Sequence, residues 1–431
     1  MGMLRFRILK ACIGIFLFCS VFSVVLLYTK VFSAIKTFIK TDDQGLEYVQ
    51  QKTAVLPTDS RLLTYHPQRT VANKDTRFLN SNQKRIERLN SLCQQTPDLF
   101  KAKSKINPYY FNTLISIRRK VIFCQIQKSA SSFWKTIIFN DTMPGTKQVP
   151  NIRSSKIDEN KLGDKFFKFL FVRDPYRRLY SGYIDKLFNL NLMYWKISGI
   201  PAKIMNNRHQ NYSECGHNVT FAEFINYIID IENKPNKRDR HFFSMYEHCA
   251  PCDHKIDYIG KMETFDQDAR SIINAINDTS LKSVYENIAS NSSENSIKYI
   301  TNTLFQSKKE FLKCMTMYEA VLRVWRYLQI TGVISKSLSF PFTKESVVML
   351  KRQSLEKKLL KAHLLSKKDE TSKLNKDEAF HEAYASVSYQ TLLKLKNIVA
   401  TDCLLFGYDA EPEGVFNAQS FITSKFRFFE L

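Results

Sequence analysis

The sequence predicts an α/β fold with a central parallel sheet flanked by helices. Two stretches predict it most directly: in each, a short apolar run, a polar turn and a helical pattern follow one another. A third apolar run, Lys255–Met262, is again followed by a helical pattern, Phe265–Ile276. Units of this kind bring their turns to the carboxyl edge of a parallel sheet, where α/β proteins bind ligands.

The first unit opens with the strand Val121–Ile126, entered from the basic cluster Arg118-Arg119-Lys120. It runs into Gln127-Lys128-Ser129-Ala130-Ser131-Ser132-Phe133-Trp134 and then a helical stretch, Lys135–Asn140. A hydroxyl-rich loop at a helix start offers unpaired N–H groups and the positive end of the helix dipole to an anion. Ser131 and Ser132 add hydroxyl donors, and Lys128 adds a mobile positive charge. No Gly-x-x-x-x-Gly-Lys-[Ser/Thr] is present, so this is not a Walker phosphate loop. The plainer alternative is an N-capping serine cluster beside an incidental lysine.

The second unit is Lys165–Phe188. Its apolar run, Phe166–Val172, is broken once by Lys168 and reads as a buried strand. Arg173-Asp174-Pro175 stops it, because Pro175 has no N–H for the ladder and fits the first turn of a helix. From Tyr176 onward, Leu179, Tyr183, Ile184 and Leu187 recur at helical spacing. Arg173 falls at the strand end and Ser181 about two turns into the helix, so a guanidinium and a hydroxyl can hold one phosphate between them. The plainer reading of Arg-Asp-Pro is an ion pair and a cap. Taken together, the two units suggest two phosphate-holding corners on adjacent strands, one for a 5′ and one for a 3′ phosphate.

The chain of 431 residues is 44% hydrophobic and carries a formal charge of +23, which points to a polyanionic partner. The N-terminus narrows the choice. Arg5, Arg7 and Lys10 precede Ala11–Thr29, a run without charge that is long enough to span a bilayer as a helix. Basic residues ahead of the span favour a cytoplasmic N-terminus. The expected order is a cytoplasmic tail (1–10), a transmembrane signal-anchor (11–29), a polar stem (30–100) with a possible helix near Arg85–Cys93, and a luminal domain (101–431), in a single-pass type II protein. Asn-x-Ser/Thr triplets at Asn140, Asn211, Asn218, Asn277 and Asn291 fit a glycosylated luminal chain, and that compartment excludes nucleic acid as a partner. Outside the span stand Cys93, Cys124, Cys215, Cys249, Cys252, Cys314 and Cys403, an odd number, so pairing leaves at least one over. Cys249-Ala-Pro-Cys252 has no second Cys-x-x-Cys to complete a zinc site and reads as part of a structural disulfide framework.

Lys128-Ser-Ala-Ser-Ser-Phe-Trp134 beside Arg173-Asp-Pro-Tyr-Arg-Arg-Leu-Tyr-Ser181 resembles the paired 5′- and 3′-phosphosulfate-binding motifs of carbohydrate sulfotransferases, which use 3′-phosphoadenylyl sulfate (PAPS). The likeness is to the Golgi group acting on chondroitin, dermatan and the HNK-1 glycan. His241-Phe-Phe-Ser-Met-Tyr-Glu-His-Cys249-Ala-Pro-Cys252, Tyr258-Ile-Gly-Lys-Met-Glu-Thr264 and Leu405-Phe-Gly-Tyr408 resemble further segments of that group in the same order. The resemblance implies a P-loop-like sulfotransferase fold that moves a sulfuryl group from PAPS to a hydroxyl of a glycosaminoglycan or glycoprotein glycan. It also implies no metal, an acidic glycan acceptor and residence in the Golgi membrane, and it leaves oligomerisation open. On this likeness Lys128 stabilises developing charge, and Ser129, Ala130, Ser131, Ser132, Phe133 and Trp134 complete the 5′ corner. Arg173, Asp174 and Ser181 form the 3′ corner, and His241, then Glu263, are the candidate bases. The loop departs from the family at Gln127 (usually Pro), Ala130 (usually Gly) and Phe133 (usually Asn), and the Ala130 Cβ is expected to crowd a backbone-to-phosphate approach.

Elsewhere, Thr220 with Glu223 forms a capping box opening a helix through Ile231. Lys234–His241 packs four basic residues and a histidine into one loop, either a solvated turn or an edge for sulfate or uronate. Thr264 is expected to cap the helix Phe265–Ile276, and Asp278–Asn302, rich in Ser and Asn, reads as a surface loop. Lys309–Leu328 and Ala379–Leu405 each read as one helix, and Lys351–Lys376 holds nine Lys/Arg against three acids on a helical pattern. Two other functions compete. A type II Golgi glycosyltransferase would use Asp266-Gln267-Asp268 as a metal pair, and a catalytically silent, membrane-tethered binder of acidic glycans would explain the altered loop.

Overall fold

The computed structural model describes residues 76–100, 112–139, 165–206, 215–234 and 237–431. The expected anchor at 11–29 and the sequons Asn140 and Asn211 lie outside the described residues. Among the described residues no helix is long and apolar enough to cross a membrane. Asn218, Asn277 and Asn291 are all exposed.

Four strands form one sheet in sequence order: β1 (Thr113–Ser116), β2 (Val121–Cys124), β3 (Phe167–Val172) and β4 (Tyr258–Lys261). β2, β3 and β4 are parallel, as the two units require, and β1 adds an antiparallel edge. The inner strands read as apolar runs, broken only at Lys168, because helices cover both faces. On one face Ile122, Cys124, Leu170, Val172 and Ile259 pack with Leu89, Met245 and Cys249. On the other, Val121, Phe123, Phe169 and Phe171 pack with Trp134, Ile137, Ala269 and Ile272. Phe123 and Phe169, opposite each other in the register, stack at 4.8 Å. Gly260 is glycine for a steric reason: a Cβ there would stand 2.4 Å from the Phe171 ring.

The helices that matter are α1 (Thr76–Gln95), α2 (Ser131–Phe139), α3 (Pro175–Tyr183), α4 (Phe221–Ile231), α5 (Phe265–Ile276), α6 (Thr279–Gln306), α7 (Met317–Ile330), α8 (Arg352–Ser366), α9 (Asn375–Ala385) and α10 (Tyr389–Phe406). The capping box at Thr220 and Glu223 is formed as the sequence indicates.

Four expectations need correction. First, α1 belongs to the globular body, so the stem does not reach residue 100. Arg85 donates to Asp268 at 2.9 Å and to the Ile259 carbonyl at 2.7 Å, and Asn82 exchanges hydrogen bonds with Asp257 and Ile259. The apolar pattern indicates only a possible helix near Arg85–Cys93, and polar contacts tie the rest of α1 to the sheet edge. Second, Asp278–Asn302 is not a loop but most of α6. Asp278 accepts from the Ser280 N–H at 3.0 Å, and Leu281, Tyr285, Ile297, Ile300 and Leu304 are buried along the helix. Its Ser and Asn residues occupy mostly exposed or half-buried positions, where side-chain competition with the backbone costs little. Third, α7 starts at Met317 rather than Lys309, because Thr316 and Glu319 form a second capping box that sets a new start. Fourth, Ala379–Leu405 is split between α9 and α10, where Ser388 accepts from the Thr391 N–H. α10 ends on Gly407, whose φ of +67° is the left-handed conformation of a helix stop.

The cysteines pair Cys93–Cys252, Cys124–Cys249 and Cys215–Cys314, and Cys403 is free and buried. Cys249-Ala-Pro-Cys252 therefore sends one bridge to the end of β2 and the other to α1. Replacing Cys124 and Cys249 together by alanine should cost about 2–5 kcal/mol of stability. Urea unfolding of the reoxidised variant reads this directly, and an unchanged midpoint would refute the structural role.

Candidate active site

β2 ends at Cys124, and the loop behind it turns through two residues in the left-handed region, Lys128 (φ +67°) and Ala130 (φ +58°). The turn buries Ser129 completely and puts Lys128, Ala130, Ser131, Ser132 and Phe133 on the wall of a hollow of about 250 Å3. α2 starts at Ser131, so both serines belong to its first turn instead of preceding it. From the second unit, Ser181, Asp185 and Lys186 line the same hollow, and His241 and Gln127 complete it. The two units therefore meet as the sequence suggests: β2 and β3 are neighbours, and Arg173 donates to the Lys128 carbonyl at 3.4 Å.

Other expected residues stand elsewhere. Trp134 is fully buried against Phe169 (4.9 Å) and Phe171 (5.5 Å), a core residue away from the hollow. Asp174 caps α3, accepting from the Arg177 N–H at 2.8 Å. Arg173 reaches the loop through its backbone contact but does not line the hollow. Glu263 is exposed, accepts from the Asp174 N–H and the Tyr408 hydroxyl, each at 2.9 Å, and does not line the hollow either. It holds the end of β3 and is badly placed to be a base.

Asp266 and Asp268 do not form a metal pair. Asp268 is 2% exposed and accepts from Arg85, Tyr258, Thr264 and the Lys261 N–H. Asp266 is exposed and engages Arg270 and Tyr285. Thr264 directs its hydroxyl to Asp268 and makes no side-chain cap. Among the described residues the one cluster of metal-ligand types is Cys215, His217 and Cys314, and its cysteines are joined to each other.

Sequence reasoning missed Asp185, Lys186, Asp239 and Tyr194. Asp185 forms ion pairs with Lys128 and Lys186, both at 3.0 Å. They follow Ser181 by about one turn, so placing Ser181 at the hollow already implied them. Burial pulls the Lys128 ammonium below its ordinary value, against the opposing pull of Asp185. Burial would raise the Asp185 carboxyl, but Lys128 and Lys186 outweigh it and hold it below its ordinary value. His241 Nδ1 lies 2.6 Å from Asp239 Oδ1 and 2.7 Å from the Tyr194 hydroxyl. Burial lowers the His241 pKa below 6.5 although Asp239 pulls it up, so the ring is neutral at pH 7. With Nδ1 donating to the carboxylate, the tautomer inferred from these partners leaves Nε2 as the lone-pair nitrogen.

The wall suits an anion. Lys128 and Lys186 bring ammonium groups, and the amide nitrogen of Gln127 is a buried donor with no protein partner.

β2 thus ends on a serine-rich loop that opens a helix, with a lysine and an oriented histidine across one hollow. The chain belongs to the sulfotransferase family, which it matches over residues 111–327. It is 25% identical over 221 residues to carbohydrate sulfotransferase 8 of Mus musculus, covering 47% of this chain and 53% of that protein. With carbohydrate sulfotransferase 9 of Homo sapiens it shares 26% over 231 residues (49% and 52%), and with carbohydrate sulfotransferase 14 of Mus musculus 29% over 175 residues (37% and 45%). The chain spans about half the length of these relatives. No solved structure gives a significant match.

Ala130 is a non-glycine in the left-handed region, which costs roughly 1–2 kcal/mol. Ala130→Gly relieves that strain, less about 0.4–1 kcal/mol for the freer unfolded chain, and should stabilise the protein by several tenths of a kcal/mol or more. A lower urea midpoint for the variant would contradict this reading of the loop.

Proposed function

We propose that the chain is a PAPS-dependent carbohydrate sulfotransferase whose acceptor is an acidic glycan of the chondroitin or dermatan kind. The observation that carries the reading is the meeting of Lys128, Ser181 and His241 on one hollow. In the reaction an acceptor oxygen forms a bond to sulfur while the bond from sulfur to the donor's bridging oxygen breaks. His241 Nε2 takes the acceptor proton, and Lys128 offsets the charge that grows on the bridging oxygen of the departing 3′-phosphoadenosine 5′-phosphate. Ser131, Ser132 and the α2 N-terminus hold the 5′ phosphate, and Ser181 holds the 3′ phosphate, with Arg173 bracing the Lys128 loop behind them. Oriented positive charge is the larger contributor, with base catalysis worth about 10²–10⁴-fold.

Exposed Lys234, Lys237 and Arg240 lie on the segment leading into His241, which favours a carboxylated or sulfated acceptor. Three disulfides and three exposed sequons favour a Golgi-luminal setting behind the apolar run at 11–29.

The test is labelled PAPS with desulfated chondroitin and dermatan acceptors. Lys128→Ala should lower kcat by about a hundredfold or more, with 3′-phosphoadenosine 5′-phosphate still binding. Absence of both nucleotide binding and transfer in the wild type would identify the silent glycan binder instead.

The base must be neutral to act, and His241 loses that state only when pH falls below its lowered pKa. The acid limb of kcat should therefore lie below pH 6.5, and His241→Gln should abolish it along with about 10²–10⁴-fold of the rate. A limb that survives the substitution would remove His241 from the mechanism.

A further inference from the structure

Asp185 is the one carboxylate among the residues lining the hollow. A carboxylate there repels the multiply charged anion that the other groups attract, so its presence needs a physical reason. The geometry supplies one. Asp185 and Lys186 lie in a single π-helical turn, Ile184–Phe188, that continues α3. This wider turn lets two consecutive residues face the same hollow, and such turns recur at functional sites. Lys186 also lies over the Tyr194 ring at 4.8 Å, and Tyr194 in turn contacts His241. The carboxylate thus holds Lys128 and Lys186 together on the wall and links them, through Tyr194, to the histidine.

We propose that Asp185 is an internal counter-ion: it occupies the cations of the donor site while the site is empty and releases them to the donor's anionic oxygens on binding. The proposal rests on the sulfuryl-donor reading of the hollow. Without Asp185, Lys128 and Lys186 would face each other across a partly buried space with no anion between them, which costs free energy. With it, the two ammonium groups share one anion and Lys128 Nζ is held 3.0 Å from Asp185 Oδ2. The arrangement trades donor affinity for a Lys128 that is already aimed. Asp185 is a positioning residue in this account, acting on the substrate through Lys128.

The experiment compares wild type, Asp185→Asn and Asp185→Ser by calorimetric titration with two probes, 3′-phosphoadenosine 5′-phosphate and inorganic sulfate, followed by transfer kinetics. Removing one like charge from a partly buried anion site should tighten both probes about tenfold. The transfer kcat should fall while the donor KM falls with it, a split that simple loss of structure does not produce. Asp185→Glu, which keeps the charge, should return the affinities towards wild type. Asp185→Ser serves if the asparagine variant fails to fold, and thermal melting checks both. Unchanged or weaker sulfate binding in the folded neutral variants would overturn the counter-ion. If the nucleotide binds to none of the proteins while sulfate tightens, the donor reading fails and the counter-ion stands.

Discussion

Arg178 on α3 is 2% exposed, and its guanidinium joins segments far apart in the chain. It donates to the Gln127 carbonyl at 2.9 Å, to the Phe243 carbonyl at 2.9 Å and lies 3.2 Å from His248 Nε2. Burial lowers its pKa to about 10, so it remains charged at neutral pH. Carbonyl dipoles solvate that charge in place of water, and removing it would leave those carbonyls without their donor. The same two segments are joined covalently by Cys124–Cys249. Asp402, buried on α10, adds a third tie by accepting from the N–H groups of Met245 and Tyr246. The loop carrying Lys128 and the loop carrying His241 are thereby set relative to each other by groups outside the hollow, and the separation of lysine and histidine follows from this frame.

The parallel core of the sheet was legible because it rests on local signals. The strands at Val121 and Phe167 are bounded apolar runs, and Pro175 marks the start of α3 by its missing N–H. The Lys128 loop, Ser181 and His241 were legible because they lie within or beside those units. What was not legible depends on partners distant in sequence. α1 is held by Arg85 to Asp268 and by Cys93 to Cys252, and nothing near residue 85 announces either contact. Asp239 and Tyr194 act through a histidine, and no spacing joins residue 194 to residue 241. Trp134 misled for the opposite reason: its place in a motif suggested a ligand, while its size and burial make it core.

The departures in the loop form a consistent set. Where the resembled family has an asparagine, the Phe133 ring meets Phe265 edge-on at 4.9 Å and Tyr285 at 5.8 Å, anchoring the start of α2 to α5 and α6 by packing. Gln127, in place of proline, offers its carbonyl to Arg178 and keeps a spare amide donor at the hollow. Ala130 retains the positive φ that glycine adopts freely, so the loop keeps the shape at a cost in strain. The altered residues rebuild support around the turn and leave Lys128 and Ser132 on the wall.

Two carboxylates divide the electrostatic work at this wall. Asp185 stands between two ammonium groups and pulls Lys128 towards its charged form against the burial that lowers it. Asp239 stands beside an imidazole, yet burial outweighs it and the ring stays neutral. Burial outweighs the neighbouring acid in both cases, and the two bases start far apart, lysine at 10.5 and histidine at 6.5. In the proposed reaction the lysine stands where negative charge would develop and the neutral ring where a proton would leave. Environments that push neighbouring titratable groups into opposite states are what acid–base chemistry near neutral pH requires. That separation is produced by burial and geometry acting on a lysine and a histidine.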